Sequence, residues 1–442
     1  MSDTDWIGET FTSDAGWDHL ETLVDIENRM AGSEGERAAA AETRDALAEH
    51  ARNARLSEFE IQGWERGQSA IRADGEPVAA RAHECIALPR SPADEVTGDL
   101  VDVGHGLPEE FADADCEGGV VMVRSDVPDW YDRYIHRREK YYRAVEAGAA
   151  AFVYRNHVEG VLPATGSVGT ADAPIGEIPA VGVASETGAR LARRYDGDAV
   201  TVAVDCETPE ATSRNVHADL GPDTDERLLV TSHVDAHDIA EGAMDNGAGT
   251  AMVVELARAL AGREHELDTR VEFVAFGAEE VGLVGSNRLA RDAALDDVTA
   301  VLNLDGVVQG RTLECYTHGF DALADAAERV AGRFDHPISL TPEQGPHSDH
   351  WPFVRRGVPG YHVTSETGES GRGWGHTHAD TLDKLEPRNF REQAVLLTEL
   401  AVTLADGTVD PEPVDPSVIA DALESQDLAE GMRVTGDWPF EE

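Results

Sequence analysis

The stretch TSHVDAHDIAEGAMDNGAG, residues 231–249, follows directly on RLLV, an apolar run that reads as a buried strand. It crowds His233, Asp235, His237, Asp238, Glu241 and Asp245 into the exit of that strand. Uncompensated charge at the end of a core strand is costly. A set of imidazoles and carboxylates this dense therefore calls for a compensating cation, and a bound metal is the direct candidate.

Working outward, the chain from about residue 200 alternates strand and helix. Strand RLLVTSH is followed by a helix over 246–261, strand RVEFVAF, a helix around 281–291 and strand AVLNLD. A helix near 321–332, strand GYHVT and a final helix at 388–405 complete the series. Apolar strands alternating with helices predict an α/β fold with a mostly parallel, mixed sheet flanked by helices. In such sheets ligands bind beyond the carboxyl ends of the strands. His233 ends one strand, Glu279 and Glu280 follow a second, Asp305 ends a third, and His376 lies in the loop after a fourth. Asp245 precedes the helix opened by Asn246, so all six should meet on one rim.

Upstream, residues 17–52 read as two helices joined at MAGSEGE, with Ser33 in a cap position, and a strand SEFEIQGW follows. From about residue 64 the apolar segments shorten to GGVVMV, AGAAAFVY and IPAVGVA, with RREKYYRAVEA between the first two as a helix. This is a small α/β pattern of its own. The division expected is 1–63 and 200–408 as two parts of the main domain, 64–199 as an insert, and 409–442 as an acidic linker, short helix and tail.

The donor set specifies the metal. Two divalent cations are balanced by the carboxylates of Asp245, Glu280 and Asp305 plus one bridging hydroxide, with His233 and His376 as neutral nitrogen ligands. Mixed imidazole and carboxylate ligation suits two Zn2+, with Co2+ or Mn2+ as substitutes, better than magnesium or calcium. Paired metals of this kind serve hydrolysis.

Six segments in order, HVD (233–235), GAMDNGAG (242–249), FGAEEVGLVGS (276–286), NLDG (303–306), SDHWPF (348–353) and HTHADTLDK (376–384), resemble the di-zinc exopeptidases of family M28. That family includes aminopeptidases and glutamate-carboxypeptidase-like enzymes. The resemblance covers residues 17–60 and 200–406. It implies His233, Asp245 and Asp305 on one ion, and Asp245, Glu280 and His376 on the other, with Asp245 bridging. It further implies Asp235 as the hydrogen-bond acceptor that fixes the His233 tautomer. Glu279 would be the general base acting on a zinc-activated water, and a cis bond would join Asp245 to Asn246. The middle segment, from GGVVMVRSD to GEIPAVGVASETGARL, resembles a protease-associated (PA) domain. Asp380 should orient the His376 loop, and His237 and Asp238 should stand at the pocket rim.

The implied activity is hydrolysis of N-terminal residues from peptides. The pocket residues expected are Asn246, Ser348, Asp349 and His350, with the loop SETGESGRGWG (365–375) setting specificity. There Glu366 or Glu369 would hold a free α-amine, whereas Arg372 would hold an α-carboxylate. Carboxypeptidase or dipeptidase therefore stays open, as do glutaminyl-peptide cyclase and a non-catalytic binding protein on a peptidase scaffold.

Composition bounds the partners. The formal net charge is -50, from 86 acidic against 36 basic residues, and only Lys140 and Lys384 are lysines. Acids are spread along the chain between apolar segments, an acidic haloarchaeal-type composition whose self-repulsion is screened at high salt. Such charge argues against nucleic acid or an anionic membrane as partner and leaves peptides as substrates; nothing in the sequence fixes the oligomeric state. Cys85, Cys116, Cys206 and Cys315 are far apart and read as reduced thiols. With no signal peptide visible and no apolar run near the ~20 residues of a membrane span, the expectation is cytoplasmic.

Overall fold

The strand Arg227–His233 is buried along nearly its whole length, and this decides the architecture. A strand apolar on both faces needs cover on both, and alternate residues here enter different clusters. Leu228 and Val230 join Phe273 and Leu302 on one side, while Leu229 joins Val274, Phe276 and Val301 on the other. Helices Ala248–Ala261 and Pro387–Ala405 close the first face. Val284–Asp292 and Trp351–Val354 close the second. The computed structural model describes residues 4–170, 173–367 and 373–440.

Four strands, Arg270–Phe276, Arg227–His233, Val298–Leu304 and Gly360–Ser365, run parallel as neighbours, so their carboxyl ends share one rim. Antiparallel Glu210–Leu220 and Arg52–Gln62 extend the sheet on one side. On the other side lie Leu313–Tyr316, antiparallel, and Ile338–Thr341.

A second eight-stranded mixed sheet is built from strands between Glu65 and Glu207, with Val120–Arg124, Ala151–Arg155 and Ala180–Val183 parallel at its centre. The core behind this sheet also takes in Ala278 and Val281, which flank Glu279 and Glu280. Buried Arg90 donates to the carbonyls of Val281 and Thr170. The insert thus packs directly against the loop that carries the paired glutamates.

Two helix starts differ from the sequence reading. Residues Ala243–Gly247 form an irregular turn in which Asp245 and Asn246 are non-helical, and the regular helix begins at Ala248. Gly282 and Leu283 both take positive φ, delaying the next helix to Val284. All four cysteines are free. Among the described residues, no helix is long and apolar enough to cross a membrane.

Candidate metal centre

Asp245 is the middle of the site. Its Oδ1 lies 3.1 Å from His233 Nε2, and its Oδ2 lies 3.0 Å from His376 Nε2. Asp305 Oδ1 approaches the same His233 nitrogen at 3.7 Å, and Glu280 Oε2 approaches the same His376 nitrogen at 3.8 Å. The carboxylate of Asp245 thus faces two donor groups at once. The Asp245–Asn246 peptide bond is cis.

The neighbours of this cluster set its chemistry. Burial alone would lower the His233 imidazole, but Glu279, Asp245 and Asp305 raise it well above its ordinary range. Burial, and then Glu280, Asp349 and Asp305 against the opposing pull of His233, push Glu279 well above the usual carboxylate range. His233 Nε2 is nonetheless buried without a hydrogen-bond partner, as is Glu280 Oε1. Polar atoms left in this state are expensive, and a cation receiving their lone pairs removes the cost. A zinc ion with ligands at about 2.0–2.2 Å holds neighbouring tetrahedral donors about 3.3–3.6 Å apart. The separations of 3.0 to 3.8 Å lie around that value. The donors therefore fit zinc.

The supports are less legible in sequence. His233 Nδ1 lies 3.0 Å from the main-chain carbonyl oxygen of Asp235, which can fix the tautomer. The Asp235 carboxylate instead accepts from the backbone N–H groups of Glu279 (3.1 Å) and Glu280 (3.2 Å). Its Oδ1 also stands 3.7 Å from His233 Nδ1, so the side chain cradles the paired glutamates while facing the imidazole it was expected to serve. Asp380 ties its own loop to the segment that carries Asp245. It accepts from Met244 N at 2.6 Å and Asp245 N at 3.2 Å, fixing the bridging position. Burial, with Asp245 second, pushes Asp380 up to about 7. The His376 loop is held from the insert, where Thr165 N donates to the His376 carbonyl at 2.8 Å.

The expected pocket residues divide. Ser348 donates to Asp305 Oδ2 at 2.6 Å and so backs a candidate ligand. Asp349 is fully buried, and burial pushes it up to about 8. Asn246 turns inward, donating to Leu304 O at 2.9 Å and accepting from Gly249 N at 3.0 Å. His350 is buried between His318 and His362 in a stack of rings. Neither forms the pocket wall, because their turns aim the side chains at backbone groups and core rings. Exposed Glu366 accepts from Ser339 at the sheet edge rather than reaching the metal cluster. Glu369 and Arg372 lie outside the described residues.

What does line the cleft is a cavity of about 120 Å³ bordered by Asp245, Glu279, Glu280, Asp305, His347 and His376 on the sheet side. Residues His136, Arg137 and Arg138 close it from the insert. Arg138 pairs with Asp437 at 2.9 Å. Arg137 donates its Nε to Ser167 O at 3.2 Å and forms no ion pair among the described residues. Nothing in the sequence marked it, since RREKYYRAVEA reads only as a helix. His378 contacts the carbonyls of Ile239 (2.9 Å) and Ala82 (3.1 Å), so His376 is the histidine of its loop that reaches the cluster.

A fold with paired donor groups beyond the ends of parallel strands is that of a metallopeptidase, and comparison with known proteins agrees. Residues 215–401 match Peptidase family M28 and residues 96–191 match the PA domain. The chain is 27% identical over 391 residues to Aminopeptidase YwaD of Bacillus subtilis, covering 84% of this chain and 80% of that one. The aminopeptidase of Aneurinibacillus sp. strain AM-1 superposes with a TM-score of 0.68 at 26% identity, covering 93% of this chain and 98% of the other. BSAP, a zinc aminopeptidase from Bacillus subtilis, shares the fold at 23% identity, with a TM-score of 0.67 over 90% of this chain and 95% of its own.

Proposed function

We propose that the protein is a two-zinc aminopeptidase, hydrolysing N-terminal residues from peptides. The observation that carries this reading is the position of Asp245, whose two oxygens each face a different histidine. On this reading His233, Asp245 and Asp305 hold one ion, and Asp245, Glu280 and His376 hold the other. Bound there, the ions would supply Lewis acidity, making a water nucleophilic near neutral pH and polarising the scissile carbonyl. Glu279 opens on the same cavity without being one of these donors. It takes a proton from the attacking water and returns it to the leaving amine. Asp235 holds Glu279 in place through its backbone N–H. The insert borders the same cavity through His136, Arg137 and Arg138.

A second observation bears on substrate length. Arg137 places a guanidinium with no carboxylate ion-pair partner among the described residues over an acidic site. It suits the terminal carboxylate of a short peptide, and so keeps a dipeptidase preference within the reading. A salt-adapted, cytoplasmic setting belongs to the same proposal, supported by the lysine-poor acidic charge and by the four free thiols.

The test is a matched peptide series assayed with the zinc-loaded protein, each member with a free or an acetylated N-terminus. Only free N-termini should be cleaved. Release of C-terminal residues from acetylated members would instead make the enzyme a carboxypeptidase. A preference for dipeptides over their C-terminal amides would place the carboxylate at Arg137.

A further inference from the structure

His237 lies four residues after His233, and its side chain has no place in the ligand sets above. Its surroundings are unusual for a buried imidazole. The residue is 6% exposed, and neither ring nitrogen has a hydrogen-bond partner. Its Nε2 is nevertheless 2.9 Å from Glu280 Oε2. Close approach without hydrogen-bond geometry is what two ligands of one ion show, because both lone pairs aim at a shared point. His233 Nε2, 3.1 Å from Asp245 Oδ1 and also unpartnered, shows the same relation on the other side of the site. The donor atoms of His237, Glu280 and His376 all fall within 4.8 Å of one another. The His237 ring meets that of His376 edge to face, with centroids 4.6 Å apart.

The backbone around His237 is fixed on both sides. Ala236 N donates to Arg29 O at 3.1 Å. Asp238 is clamped by Arg66 of the insert, through Nε at 2.8 Å and a terminal nitrogen at 2.6 Å. An imidazole held this firmly, buried and without hydrogen bonds, is prepared for a partner other than a protein group.

We propose that His237 is a direct ligand of the ion held by Glu280 and His376. This rests on the two-metal reading and deepens it. With Asp245 shared, that ion would have four protein donors. The ion at His233, Asp245 and Asp305 keeps three, leaving an open position for substrate. The two halves of the centre would therefore be unequal, with four protein donors on one side and three on the other.

X-ray absorption at the zinc edge tests this on the intact protein without reference to activity. Three histidines over two ions give an average of about 1.5 imidazoles per zinc, and two histidines give about 1.0. The expected result is about 1.5 for the native protein, falling towards 1.0 in His237→Ala. The variant should also bind its second zinc more than roughly 100-fold more weakly, beyond the 10–100-fold typical of a group that merely orients a ligand. A native average of about 1.0 with two zincs bound overturns the ligand role and leaves the two-metal reading standing. A native protein that binds fewer than two zincs overturns both.

Discussion

Glu279 and Glu280 are adjacent, and both donate their backbone N–H groups to Asp235, yet their carboxylates do different things. Glu280 approaches two imidazoles, His237 at 2.9 Å and His376 at 3.8 Å. Glu279 opens on the cavity. Glu280→Ala is therefore expected to lose one ion. Glu279→Ala is expected to keep both while turnover falls by about 10²–10⁴-fold, with substrate affinity changed far less. Metal analysis beside steady-state kinetics reads both outcomes, and the reverse pattern would exchange the two roles. Asp235→Ala leaves two buried N–H groups without an acceptor, so it should destabilise the fold by about 2–5 kcal/mol in a urea titration. The six proposed ligand and base positions were legible because their residue types sit at strand exits in a fixed order. The supports were not. Whether Asp235 serves His233 by its carboxylate or its carbonyl, and whether Asn246 or His350 faces cavity or core, depends on side-chain direction in irregular turns. Sequence order does not set that direction.

Among the elements, apolar periodicity revealed the central strands and the long helices but passed over Glu210–Leu220. That strand reads as polar because its buried residues act as hydrogen-bond partners. Ser213 meets Glu36, Asn215 meets Gly285 O and Gly277 N, and His217 meets Glu272. Glu36, which reads as an ordinary first-turn acid, is fully buried and also accepts from Ala278 N, beneath the Glu279 loop. The contact between Ala15–Val24 and Glu34–Ala48 carries a pH dependence. His19 Nε2 lies 3.1 Å from Thr43 Oγ1, and burial, with Arg29 adding to it, pushes the imidazole from 6.5 down to about 4. The unfolded chain binds this proton first as pH falls. The contribution is complete above about pH 6.5 and is lost between there and about pH 4. It amounts to roughly 3 kcal/mol. His19→Gln should flatten the stability profile in that window relative to the native protein, and an unchanged difference would remove His19 from the account.

At the scale of the whole molecule, charge and enclosure dominate. A net charge of -50 repels itself in dilute buffer, and at 1 M salt the Debye length falls to about 3 Å. The melting temperature should therefore rise between dilute buffer and molar potassium chloride. No change would mean that the acidic surface has no stability role. Enclosure follows from the insert, whose Arg137, Thr165 and Arg66 reach the cavity, the His376 loop and Asp238 respectively. That convergence was not visible in sequence because the three residues come from separate strands, helices and loops of a different sheet. The two-metal proposal rests on one carboxylate, Asp245, shared between two ions at this junction. It is tested most directly by counting zinc per chain after equilibrium dialysis of native protein and Asp245→Ala. Two ions are expected in the native chain, with weakened binding of both in the variant. A native chain holding a single ion, or a variant that still binds two as tightly, would contradict it.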